Sequence, residues 1–106
     1  MGYIEIRVRM RSRFGAKITN GKSIIKDGVA LTTYDDPKIT ENSFKAMQKQ
    51  GKECELKKGI LVERYDGMSK EEIADKIKED VKKIQAKFKG IMDINYTRRV
   101  VKWVLK

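Results

Sequence analysis

A chain of 106 residues, 40% hydrophobic and 38% charged, has the size and composition of one globular domain and is too apolar for a disordered tail. Its 25 basic and 15 acidic side chains give a net charge of +10, which excludes an acidic mimic of DNA and points to polyanionic partners: nucleic acid, acidic membranes or acidic protein surfaces. The charge is concentrated at the ends: residues 1–26 carry seven basic groups and one acidic, residues 27–67 seven and eight, and residues 68–106 eleven and six.

The first segment alternates. Ile4, Ile6, Val8 and Met10 fall on one face of a strand, and Tyr3, Glu5, Arg7, Arg9 and Arg11 on the other, which is the period-two signature of a half-buried strand. Phe14-Gly15 ends it. Short strands over 16–19 and 22–25 flank Asn20-Gly21, a pair suited to a type I′ hairpin turn because both residues tolerate positive φ. Asp27-Gly28 predicts the next turn and leads into a strand over 29–34, so this third of the chain reads as a tight antiparallel meander.

After a loop over 34–38 a short helix begins, with Thr40 as N-cap, Ile39 and Phe44 in the hydrophobic-staple positions and Gly51 just past its end; Phe44 and Met47 face the core. Strands over 53–56 and 60–65 turn at Lys58-Gly59, and Asp66-Gly67 breaks the chain before a capping box at Ser69–Glu72. A longer helix follows, with Ile73, Ile77, Val81, Ile84, Phe88 and Ile91 as one buried stripe and Gly90 near its end. For residues 95–106, Val100, Val101, Trp103 and Val104 favour a strand, with a short helix as the alternative. The expected fold is α+β, a single domain over 1–106. It combines a small antiparallel meander sheet, or an SH3-like or OB-like barrel, with one short helix and one longer C-terminal helix.

Catalytic chemistry finds little support. The chain has no histidine, which removes the commonest general base and metal ligand. It has no cysteine pair, no HExxH and no phosphate-cradling glycine motif. Cys54, between Glu53 and Glu55, reads as a small core residue rather than a nucleophile, and Asp35-Asp36 before Pro37 as a turn rather than a metal site. The expectation is a non-enzyme without cofactor, metal or small-molecule substrate. No run of 18 apolar residues and no leader pattern occurs, and the lone cysteine fits a reducing compartment. No membrane association and a cytoplasmic location are expected.

Two surfaces are candidates for binding. Arg7, Arg9, Arg11 and Arg13 recur every second residue, with Lys17 beyond them and Tyr3 and Phe14 flanking. On a strand, such residues repeat about every 6.5–7 Å, comparable to successive phosphates along one strand of nucleic acid, and guanidinium groups fork to phosphate oxygens and stack on bases. The alternative is a strand that carries charge as protection against edge pairing. Near the C-terminus, Arg98 and Arg99 with Trp103 as anchor form a second candidate, for a protein partner, and the apolar helix stripe also suits a dimer seam.

The stretches Gly21-Lys22-Ser23-Ile24-Ile25-Lys26-Asp27-Gly28, Ile39-Thr40-Glu41-Asn42-Ser43-Phe44-Lys45-Ala46-Met47 and Glu53-Cys54-Glu55-Leu56 resemble the hairpin–helix–strand core of small proteins from tailed-phage and prophage gene cassettes, many of them in head–tail morphogenesis. The resemblance implies a viral accessory or structural protein that works by binding, in the host cytoplasm or the virion. The leading expectation is therefore a basic interaction or assembly protein, phage- or mobile-element-encoded, with a protein partner or self-association. The alternative is a nucleic-acid-binding protein using the Arg-rich first strand.

Overall fold

Alternation in the first segment organises the fold. The computed structural model describes residues 2–102, and in it the first segment is strand β1 (Gly2–Ser12), followed by β2 (Lys17–Lys26), β3 (Val29–Tyr34), helix α1 (Pro37–Lys49), β4 (Cys54–Lys57), β5 (Ile60–Arg64), helix α2 (Lys70–Lys87) and β6 (Met92–Lys102). The six strands form one antiparallel sheet in the order β4-β5-β3-β2-β1-β6. The α+β class is as the sequence predicts; the antiparallel meander is present with three strands, β1, β2 and β3, rather than the four that a turn at Asn20-Gly21 would give. The barrel is not: β4 and β6 are the two edges of an open sheet.

Both helices cover the same sheet face. Ile4, Ile6 and Val8 of β1 meet Ile25, Ala30 and Ile94 of the neighbouring strands, and Ile73 and Ala74 of α2 close over them. Ile4, Ile6, Ile25, Ala30, Ile73 and Ala74 are fully buried, and each large one contributes about 1.5–3 kcal/mol by leaving water. Helix α1 lies over β3, β4 and β5, where the Thr40 hydroxyl accepts from the Tyr34 amide at 3.1 Å.

Several local expectations are corrected. Asn20-Gly21 is no turn: β2 runs straight through it, and the β1–β2 connection is Arg13–Ala16. Gly21 is needed for another reason. The Tyr34 ring lies against it, so that a Cβ there would stand 2.7 Å from Tyr34 Cε1. The cap of helix α1 lies four residues before the expected one: Asp36 accepts from the Lys38 amide and Pro37 occupies the first turn, where a missing N–H costs nothing. Thr40 is thereby left to hold β3. At α2 the capping box is present as predicted, with the Glu72 amide donating to Ser69 Oγ at 3.2 Å and the Ser69 amide to Glu72 Oε1 at 3.3 Å. Its apolar stripe is only half buried, however. Ile73, Ile77 and Val81 pack on the core, whereas Ile84, Phe88 and Ile91 are exposed, because the apolar face of the sheet beneath gives out after Met10 and Met92. Residues 92–102 form a strand rather than a helix; Trp103 and Val104 lie outside the described residues.

The Gly21 contact is testable. Gly21→Ala is expected to destabilise the protein by about 1–3 kcal/mol through overpacking, measured by urea unfolding, and Tyr34→Ala in the same chain is expected to recover part of that loss. Independent, additive costs from the two substitutions would show that the ring is not what requires glycine.

Candidate functional site

The helix-free sheet face carries the cations. Pairing sets its rows: Glu5 of β1 stands between Ile24 of β2 and Arg99 of β6, Arg7 between Lys22 and Thr97, Arg9 between Asn20 and Asn95, and Arg11 between Lys17 and Asp93. Because β1 is hydrogen-bonded on both sides, Arg7, Arg9 and Arg11 are on an interior strand. Edge protection therefore does not account for them.

Glu5 organises one end of this face. Although it belongs to the side without helices, it is only 5% exposed, covered by the long side chains of three adjacent strands. Arg7 Nε donates to its Oε1 at 2.7 Å, Arg99 Nη2 approaches the same oxygen at 3.5 Å, and Lys22 Nζ lies 3.8 Å from Oε2. Burial pushes the Glu5 carboxyl up, but the hydrogen bond and charge of Arg7, with Arg99 and Lys22 behind it, outweigh that and hold it below the usual carboxylate range. It is thus an ionised anchor for three cations.

Further along, Arg9 and Arg11 are exposed and make no ion pair among the described residues; one Arg11 nitrogen donates to the Gly15 carbonyl at 3.3 Å. Arg9 separates two shallow depressions. One, of about 320 Å³, is lined by Arg7, Arg9, Asn20, Lys22 and Thr33 among others. The other, of about 290 Å³, reaches around the β6 edge, where Gln85 of α2 joins Arg9, Arg11, Asp93 and Asn95 in lining it. Amide and hydroxyl groups between guanidinium groups offer both donors and acceptors beside positive charge.

The remaining expected site residues are dispersed. Arg13 is in the turn beyond β1, its guanidinium 5.5 Å from the centre of the Phe14 ring, so the ladder has three rungs rather than four. Lys17 is engaged by Asp35 at 2.8 Å. Arg98 and Arg99 point to opposite faces, as neighbours on a strand must: Arg98 binds Asp75 of α2 at 2.7 Å while Arg99 joins Glu5. They cannot act as one patch, and Trp103 lies outside the described residues. Lys22 and Arg99 belong to the cationic face although sequence reasoning did not place them there. The signal was non-local, since only the strand register brings them to β1.

A second polar cluster, also unforeseen, sits on the helix-covered face. Period two in β5 puts Glu63 on the same side as Leu61, and it is buried. The Tyr65 hydroxyl donates to its Oε2. Beside them a cavity of about 220 Å³ is lined by Lys52, Glu63, Tyr65 and Lys76 among others, and Lys52 reaches Asp80 of α2 at 3.8 Å. Burial pushes the Glu63 carboxyl up; the Tyr65 hydrogen bond and the Lys52 charge only partly oppose it. Burial and the Glu63 charge in turn push the Cys54 thiol up, which keeps it protonated and unreactive at neutral pH.

Compared with known protein families, characterised proteins and solved structures, the chain gives no significant match.

The two buried carboxylates respond to pH with opposite sign. Glu5, held below its ordinary value of 4.5, contributes stability that is complete above that value and is lost as the pH falls through its folded value. Glu63, pushed above 4.5, contributes stability that is complete below that value and is lost as the pH rises through its folded value. In urea unfolding followed from acid to neutral pH, Glu5→Gln is expected to flatten the acid-side loss. Glu63→Gln is expected to match or exceed the native protein at neutral pH. A Glu63→Gln variant that is less stable at neutral pH would mean that the fold requires the charged form.

Proposed function

We propose that the protein is a non-enzymatic nucleic-acid-binding module that holds the phosphate backbone against its helix-free sheet face. The observation that carries this is the placement of Arg7, Arg9, Arg11, Lys22 and Arg99 on three adjacent strands, with β1 interior to the sheet. Along β1 the guanidinium rows repeat about every 6.5–7 Å, so one strand of backbone running parallel to β1 meets a cation at each step. Glu5 fixes Arg7, Lys22 and Arg99 before any ligand arrives, which lowers the ordering cost of binding. Arg9 and Arg11 make no ion pair among the described residues, although Asp93 stands across from Arg11, and they supply the charge that Glu5 does not engage. Asn20, Asn95 and Thr33 stand where base edges or sugars would lie, and contacts of that kind are fewer than the backbone contacts, so affinity is mostly independent of sequence.

The phage or mobile-element setting implied by the sequence resemblance is compatible with this reading, since either compartment is rich in nucleic acid. The partner-protein reading has lost its paired arginines to opposite faces. What favours it is a separate feature, the exposed apolar end of α2.

Fluorescence anisotropy with labelled single- and double-stranded DNA and RNA at two salt concentrations tests the proposal. The native protein is expected to bind at low salt and to release steeply as salt rises. Arg9→Ser with Arg11→Ser is expected to weaken binding and to reduce the salt slope on duplex DNA by about 1.8, at roughly 0.9 per lost phosphate contact, with circular dichroism unchanged because both side chains are exposed. No binding at low salt, or an unaltered affinity and slope in the variant, would overturn the reading.

A further inference from the structure

Phe14 and Ile91 stand largely in water at one end of the molecule, with Ile84 and Phe88 partly exposed beside them. Phe14, in the β1–β2 turn, is 89% exposed, and Ile91, between α2 and β6, 67%; Ile84 and Phe88 are exposed on the last turns of α2. Backbone contacts hold them as a unit. The Arg13 amide donates to the Ile91 carbonyl at 3.1 Å and the Ile91 amide to the Phe88 carbonyl at 3.0 Å. The same end is densely basic. Residues 11–18 and 82–93 contain seven lysines and arginines, of which Lys17 is engaged by Asp35, and Asp93 is the one acid within these segments. Arg13 lies over the Phe14 ring and Lys87 over the Phe88 ring, at 5.5 and 5.7 Å from the ring centres.

We infer that this end docks on an anionic lipid surface, with Phe14, Ile91 and Phe88 entering the interfacial region and the surrounding cations meeting headgroups. An exposed apolar patch calls for an occupant, and the rim of charge selects which. A second copy of the chain would set one basic rim against another. Nucleic acid satisfies the cations but gives Ile84 and Ile91 nothing, since aliphatic side chains do not stack on bases as aromatic ones do. A protein partner would need an acidic rim around a pocket shaped for a Phe14 side chain that stands almost wholly clear of its own surface. A fluid interface accepts such a side chain without a matching pocket, and anionic headgroups attract lysine and arginine by about 1 kcal/mol each. Surface docking of this kind needs no spanning segment, and among the described residues no helix is long and apolar enough to cross a membrane.

Co-sedimentation of the full chain with vesicles tests this, using phosphatidylcholine alone and roughly 70:30 phosphatidylcholine–phosphatidylserine, the anionic fraction supplying the surface potential. The native protein is expected to sediment with the anionic vesicles and not with the neutral ones. Phe14→Ser with Ile91→Ser, both at exposed positions, is expected to lower the partition coefficient about tenfold or more, from the loss of two inserted side chains. Its circular dichroism and its anisotropy with nucleic acid are expected to stay unchanged, and Arg9→Ser is expected to sediment like the native protein. Absence of sedimentation with anionic vesicles would overturn the inference. So would a double variant that sediments like the native protein, because binding would then rest on charge alone. A native dimer in light scattering that the double variant abolishes would assign the patch to a second copy instead.

Discussion

Like charges placed opposite each other on neighbouring strands repel, and this sheet places Arg7 directly across from Lys22, with Arg99 one row away on the other side. Such pairs destabilise a sheet unless an anion lies between them. Glu5 is that anion. It sits one row from Arg7, opposite Arg99, and draws side chains from β1, β2 and β6 onto a single carboxylate. Each contact is with a side chain that is about half exposed or more, so each alone contributes little. Together they let three strands carry cations on one face without spreading apart. The register that arranges this also fills the core. Ile4, Ile6 and Val8 alternate with Glu5, Arg7 and Arg9, and a slip of one residue would exchange the two sets.

The opposite face resolves its own buried carboxylate differently. Glu63 meets a tyrosine hydroxyl and a distant lysine where Glu5 meets an arginine, so burial dominates there and charge dominates at Glu5. The distinction has a consequence for the thiol. Cys54 shares the helix-covered side with Glu63, and a carboxylate nearby raises the cost of a thiolate. Nearby, Lys52, in the loop between α1 and β4, lies 3.8 Å from Asp80 of α2, a partly exposed pair that contributes little on its own.

Where the determinants of structure are local, the chain declares them. The alternation of β1, the turns at Asp27-Gly28 and Lys58-Gly59, and the Ser69 capping box are each decided by residues within a few positions of one another, and each is found where the pattern puts it. Asn20-Gly21 shows the limit. The dipeptide has the chemistry of a turn, yet Gly21 lies within a strand because Tyr34, distant in sequence, rests its ring on it. Thr40 misleads in the same way: a good cap by type, it is taken up by β3 while Asp36-Pro37 starts the helix. The α2 stripe has the right period throughout, but how much of it is buried depends on where the sheet beneath stops being apolar. For the cationic face, β1 could be read directly. Its completion by Lys22 and Arg99, and the separation of Arg98 from Arg99, depend on which strands flank β1, and the order of strands is not encoded in any one segment.

The two exposed surfaces share a sign of charge and differ in everything else. On the sheet face, guanidinium groups are interleaved with amides and hydroxyls, the row spacing is regular, and one end is pre-ordered by Glu5. That suits a ligand that is itself periodic and polar along its length. At the hairpin end the cations have no regular spacing and surround aromatic and aliphatic side chains held out on turns, which suits a ligand that is anionic at its surface, apolar beneath and without fixed shape. Net charge alone would assign both to any polyanion. The apolar content and the regularity of the rows separate them: the sheet face lies along β1 and the hairpin tip at its end, with Arg11 at the boundary of both.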